Sequence, residues 1–258
     1  MKQPISIFIM DVSNSTDNNW EEIAEYVQGW EKTIHSLRTD SNQIKVHHRM
    51  GDEILFVAKN FSTAYIAAFF ILLTWKFKKQ TPYFGFSFGY TESNLEKIQI
   101  DSWNHPLIKR AREQNEKIKN SRIRETTMIF DIDEKIADSH QVKDSKETLN
   151  LLAQIQSKLL YDQTDQQRLI CSLYSILREQ KKIAHLLQKT SSTISSHYKK
   201  GQSELILQIF YKLIDTLNIL QAGENAEKTE DLSTLSKEFA TSIRGYMKTN
   251  FKAFYPNL

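Results

Sequence analysis

The sequence predicts an α+β fold: an antiparallel-rich, ferredoxin-like sheet with helices on one face, followed by an all-α region. Three observations carry that expectation. Short apolar, β-prone runs alternate with longer helical periodicities through the first half of the chain. Beyond residue 131 the strand patterns vanish and almost every segment repeats its apolar positions at helical spacing. The 258 residues are 40% hydrophobic and 25% charged, which is the composition of a globular chain and enough length for two domains.

Residues 5–10 form an apolar run that stops at Asp11-Val12-Ser13-Asn14-Ser15-Thr16. That polar stretch cannot continue a buried strand, so Asp11 lies at an edge of the core. A helix follows over residues 20–38. Residues 43–48 alternate weakly, Gly51-Asp52 supplies a tight reversal, and Ile54-Leu55-Phe56-Val57-Ala58 resumes as a buried strand, which makes Asp52 a hairpin tip. The most apolar segment, residues 61–75, is interrupted by Ser62 and Thr63 and falls short of the ~20 residues of a bilayer span. It reads as part of a buried helix over 62–79, and no membrane association is expected. A strand at 83–90, with Phe84, Phe86 and Phe88 as core, a helix at 106–121 and a strand at 126–130 complete the first half.

Charged residues cluster through 138–147, which places a linker at 132–146 between domains 1–131 and 147–258. Helices are expected there at 149–160, 167–178 and 205–220, with a soft acidic stretch at 222–231 and an aromatic-rich tail at 231–258 that caps the core or covers a partner. No internal repeat is visible. The net charge is +3, and all of the excess lies beyond residue 135. The single cysteine, Cys171, excludes an intramolecular disulfide, and nothing at the amino end reads as a signal peptide; a cytoplasmic setting is the simplest expectation.

If the hairpin lies beside the first strand, Asp11 and Asp52 meet at one end of the sheet. Mg²⁺ suits such a pair, because it takes oxygen from one or two carboxylates and completes its octahedron with water and substrate phosphates. The alternative is structural: Asp11 caps the next helix and Asp52 is an ordinary turn residue.

The segments Phe8-Ile9-Met10-Asp11-Val12-Ser13-Asn14-Ser15-Thr16 and His48-Arg49-Met50-Gly51-Asp52-Glu53-Ile54-Leu55-Phe56 resemble the two metal-aspartate motifs of class III nucleotidyl cyclase domains and of the SatD-type bacterial proteins that share the pattern. A third segment, Asp101-Ser102-Trp103-Asn104-His105-Pro106-Leu107-Ile108-Lys109-Arg110-Ala111-Arg112, is similar to the cyclase stretch that carries a base-recognising aspartate and a phosphate-contacting arginine. The resemblance implies a cyclase-like sheet, Mg²⁺ or alternatively Mn²⁺ on Asp11, Val12 and Asp52, and a nucleotide contacted by Ser13, Ser15, Thr16, His48, Asp101 and Arg112. It also implies a homodimer, since cyclase sites form between two copies. Two positions depart from the family: Ile108 stands at its transition-state asparagine, and His48 at its purine-reading lysine. Isoleucine cannot donate a hydrogen bond to developing charge, and losing one such donor costs about 2.7–4 kcal/mol of transition-state stabilisation. A second resemblance, to diguanylate cyclase domains, lacks the doubled glycine because Met50 precedes Gly51.

A separate constellation spans about residues 178–202. Ile183, Ala184 and Leu187 share one helix face, and Ile194 and Tyr198 form an i,i+4 pair on the next, the apolar spacing of a helix-turn-helix. Lys181, Lys182, Ser191, Ser192, Ser195, Ser196, Lys199 and Lys200 then become the exposed, DNA-facing positions, suited to phosphate and base-edge contacts. Gln188 replaces the usual turn glycine, and no recognition-helix arginine offers bidentate guanine contact. The alternative is a solvated basic helix pair that docks a protein. SatD-like proteins join similar halves in the same order.

The remaining groups are weaker candidates. His105, His140, His185 and His197 lack zinc-ligand spacing, no glycine-rich phosphate loop is present, and consecutive His47 and His48 face opposite sides of a strand. Three functions stay open: a DNA-binding regulator with a nucleotide-binding, catalytically degenerate cyclase-like domain, an active nucleotidyl cyclase, and an interaction module without ligand.

Overall fold

The computed structural model describes residues 2–13, 20–49, 51–122, 125–136, 139–256 and 258. The first half comprises β1 (Gln3–Val12), α1 (Trp20–Ser36), β2 (Lys45–His48), β3 (Ile54–Lys59), α2 (Phe61–Thr74), β4 (Pro82–Thr91), α3 (Pro106–Lys119) and β5 (Met128–Ile132). The second half is helical: α4 (Ser139–Tyr161), α5 (Asp165–Leu177), α6 (Gln180–Leu186), α7 (Ser191–Lys200), α8 (Ser203–Ala222), α9 (Ala226–Thr249) and α10 (Phe251–Phe254). The fold is α+β, as the strand and helix periodicities require.

The strands form one sheet in the order β2-β3-β1-β4-β5, antiparallel except for the β4–β5 pair. Its two faces are chemically different. One carries Phe8, Phe56, Phe84, Phe86, Phe88 and Phe130, with Phe8 on Phe56 and Phe86 on Phe130 each stacked at 4.7 Å. This face is covered by α1 and by α2, every residue of which is buried. The other carries Ile5, Ile7, Ile9, Leu55 and Val57 beneath Leu107, Ile108 and Ala111 of α3. Whereas the sequence reading put the helices on one face, α3 lies on the opposite face from α1 and α2. Gly85 makes that approach feasible: a Cβ there would sit 2.1 Å from the Ala111 carbonyl oxygen. Asn115 fixes the register by donating from Nδ2 to the carbonyls of Ile9 (2.9 Å) and Tyr83 (3.2 Å).

Residues 132–146, expected as a linker, contain the last residue of β5 and the opening turns of α4. The described charges of that stretch, Lys143, Asp144, Lys146 and Glu147, lie on the outer side of a helix whose inner stripe is Val142, Leu149, Ala153, Gln156 and Leu160. Lys146 folds back to Asp131 at 2.5 Å, and Asn150 both accepts from Phe130 N–H (2.8 Å) and donates to its carbonyl (2.9 Å). With Thr126 on both backbone groups of Met128 and Arg110 on the Ile132 carbonyl, the outer edge of β5 is hydrogen-bonded within the chain rather than open to strand addition.

The helical half shares the core of the sheet half. Phe210 of α8 stacks on Phe69 of α2 at 4.2 Å, Tyr65 donates its hydroxyl to Gln156 at 2.9 Å, and Gln221 accepts the Phe61 N–H at 2.7 Å. α8 is long and apolar enough to cross a membrane by length and composition, and here it packs against α2, α4 and α9. The stretch 222–231, expected to be soft, is a turn at Gly223 (φ +65°) followed by α9, whose Phe239, Ile243 and Met247 are buried. The aromatic tail caps the core, with Phe254 against Trp30 at 5.2 Å.

Candidate functional site

The end of β1 and the β2–β3 hairpin meet at one end of the sheet because β3 pairs directly with β1, Met10 opposite Ile54. The Val12 N–H lies 2.9 Å from Asp11 Oδ1 and 3.2 Å from Asp52 Oδ2. Both carboxylates therefore converge on one backbone donor. The second oxygen of Asp11 accepts from the Tyr83 hydroxyl at 2.9 Å and faces Lys119 Nζ at 3.3 Å. Asp11 is largely shielded, with its side chain 17% exposed, while Lys119 is 58% exposed.

Arg112 comes to the same end. Its guanidinium grips Glu53, the neighbour of Asp52, through Nη1 at 2.8 Å and Nη2 at 3.1 Å. These hydrogen bonds to Glu53 push the arginine pKa up, with the charges of Glu53, Glu116 and Asp11 adding to the effect and burial opposing it. Arg49 pairs with the same Glu53 at 3.1 Å. Ile108, one turn before Arg112, is buried in the apolar cluster under α3, so this position offers no hydrogen-bond donor where the cyclase pattern has an asparagine.

The other positions expected to contact a nucleotide separate. Asp101 pairs with His47 at 3.1 Å, not with His48. Strand alternation is the reason: His47 stands opposite Leu55 of the α3-side cluster, whereas His48 follows Val46, which is buried on the α1 side. The His48 N–H donates to Glu31 of α1 at 2.8 Å, and its ring contacts the Gly51 carbonyl at 2.8 Å. Ser13 ties β1 to the β4 entry, with N–H to Thr81 O at 3.1 Å and Oγ accepting from Thr81 N–H at 2.9 Å. Ser15 and Thr16 lie outside the described residues. Among those described, no group of three or more His, Cys, Asp or Glu is placed to hold a metal. Two carboxylates on one donor nonetheless fit an ion that takes only one or two protein oxygens.

Sequence reasoning gave no role to Tyr83, Glu53 and Lys119, and of the two neighbouring histidines it took His48 rather than His47 as the nucleotide position. Lys119 had a readable signal, since Arg112, Glu116 and Lys119 follow one another at helical spacing on α3.

The second site is built by α5, α6 and α7, which pack on one another. Ile183, Ala184, Ile194 and Tyr198 are buried at their junction, and Leu187 is half-buried. The turn between α6 and α7 places Gln188 at φ +51°, the left-handed conformation for which glycine is the usual residue. Thr190 then caps α7, accepting the Thr193 N–H at 3.2 Å. Lys181, Lys182, Ser191, Ser192, Ser196, Lys199 and Lys200 are exposed and Ser195 is half-exposed. Lys182 is paired with Glu179 at 2.9 Å. Gly201 ends α7 where a Cβ would press on Gln167 Cβ at 2.8 Å, so α5 and the end of α7 are in close contact.

No family model, curated protein or solved structure matches this chain.

Proposed function

We propose that this chain is a DNA-binding regulator whose sheet half binds a nucleotide with Mg²⁺ and is catalytically degenerate. The observation that carries the reading is the division of α6 and α7 into two faces. Apolar residues lock the pair onto α5, and the opposite side presents lysines and serine hydroxyls around a left-handed turn. Ammonium groups suit phosphates and short hydroxyls suit base edges, the division of labour of a recognition helix in the major groove. A labelled mixed-sequence duplex, followed by fluorescence anisotropy, tests it. Binding should weaken steeply as salt rises from about 50 to 200 mM, and Lys199→Ala with Lys200→Ala should reduce the salt slope by about 2. Absent or salt-independent retention overturns it.

For the nucleotide half, Asp11, Asp52 and the Val12 backbone would hold the ion, Mg²⁺ or Mn²⁺, which supplies positive charge to bridge carboxylate and phosphate oxygens. Arg112 supplies the cation for a phosphate once it exchanges Glu53 for the ligand, and Lys119 must leave Asp11. The resemblance to class III cyclase and SatD-type motifs supports this assignment and a homodimer. Calorimetric titration of Mg²⁺ with ATP or GTP into the parent, Asp11→Ala and Asp52→Ala proteins tests it; equal heats in all three remove it. Occupancy could bias DNA affinity only if nucleotide binds two arrangements of the chain unequally.

The meeting of Asp11, Asp52 and Arg112 favours one second reading, an active nucleotidyl cyclase. Buried Ile108 weighs against efficient turnover. Metal-dependent pyrophosphate release that Asp52→Ala abolishes would establish the enzyme instead.

A further inference from the structure

On one flank of the helix-turn-helix, α6 and the α9–α10 corner enclose an open groove of about 540 Å³. Its floor is apolar: Leu177 at the end of α5, Leu186 at the end of α6 and Phe251 at the start of α10. Its rim is cationic. Lys181, Lys182 and His185 line the α6 bank and Lys248 lines the α9 bank. Glu179 is the one carboxylate of the lining, and it already neutralises Lys182 at 2.9 Å. Among the described residues, Lys181 and Lys248 have no ion-pair partner, so each bank keeps an unmatched positive charge.

We propose that this groove docks an acidic amphipathic helix of a partner protein. Charge complementarity selects the occupant. A lone carboxylate, such as a fatty acid's, can answer only one bank. A helix with an apolar stripe at i, i+3 and i+4 and carboxylates on both flanks answers both while covering the floor. The anchor is also fixed beforehand: Phe251 stacks on Tyr255 at 4.9 Å, and the Tyr255 hydroxyl is held by Ser172 at 2.5 Å. Ordering such a ring on binding therefore costs little. Lys181 and Lys182 are also among the DNA-facing positions of α6, whereas Lys248 belongs to the groove alone.

The test uses the full chain and a fluorescein-labelled helical peptide of about 16 residues, alternating leucine and glutamate at the spacing above. Binding should saturate and weaken with salt. Lys248→Glu should weaken it about fivefold or more, and Phe251→Ala about tenfold. Because Phe251→Ala touches packed residues, its melting temperature is measured alongside. Surface variant Lys248→Glu needs no such control, and its retained binding to the mixed-sequence duplex separates this groove from the DNA face. A lysine-substituted peptide that binds the Lys181→Glu, Lys248→Glu double variant and not the parent would confirm the charge pairing. Equal binding by a peptide of scrambled apolar order, no loss in Lys248→Glu, or saturable binding of decanoate in place of the peptide would overturn the proposal.

Discussion

Asp11 and Asp52, forty-one positions apart in the chain, accept from the same Val12 N–H at 2.9 and 3.2 Å. Two carboxylates so close repel one another, and Lys119, on the outer oxygen of Asp11 at 3.3 Å, answers only one of them. Adding Mg²⁺ should therefore raise the melting temperature of the parent protein, by about 2.7 kcal/mol of stability at a hundredfold excess over Kd. Asp52→Asn should abolish the rise in a thermal scan; an undiminished rise would place the ion elsewhere.

Lys119 supplies a tethered positive charge to the outer oxygen of Asp11, 3.3 Å away. A divalent ion bound through that oxygen would have to displace it. Lys119→Met should tighten Mg²⁺ binding about two- to fivefold in a calorimetric titration, since the competitor is lost while both carboxylates remain. Weaker binding in this variant would mean that the lysine assists the ligand rather than excluding it.

Phe210 ties the helical half to α2 through Phe69 and Tyr65, with ring separations of 4.2 and 5.7 Å. All four tryptophans, Trp20, Trp30, Trp75 and Trp103, lie in the sheet half. Tryptophan fluorescence therefore reports that half, whereas helical circular dichroism is weighted toward the other. With one shared core the two signals should give coincident urea transitions, and Phe210→Ala should lower both together by about 3–5 kcal/mol. Separated midpoints in the parent would mean that the halves unfold independently.

Gln188 holds φ +51° in the turn before α7. A non-glycine residue there costs about 1–2 kcal/mol. Gln188→Gly should raise stability by part of that amount, offset by the greater chain entropy of glycine when unfolded, with DNA affinity unchanged within twofold. A fall in stability would show that the glutamine side chain contributes more than its backbone costs.

Much of this site was legible beforehand. The apolar run into Asp11 and the Gly51-Asp52 turn are local signals, although β1 continues past the expected stop to Val12, paired with β4, and so is the apolar spacing from Ile183 to Tyr198 that builds the helix pair. Three features were not. Asp101 faces His47 rather than His48 because of strand parity, which depends on the register of β2 against β3. Tyr83 and Lys119 reach Asp11 only because β4 pairs with β1 and α3 lies over Gly85. The charges in residues 138–147 looked like a linker because their helical partner stripe is sparse, with Val142 and Leu149 a full seven positions apart.

The sequence by itself determined the kinds of element, the places where strands stop and turns begin, and the residue types carried to those ends. Apolar period and turn chemistry act over a few neighbouring residues, so a linear reading recovers them. Only the tertiary structure decided the strand order, the face that receives α3, the partners of each charged side chain and the fusion of both halves into one core. Those outcomes depend on packing between segments tens of residues apart, where shape and burial choose among pairings that local propensity leaves equivalent.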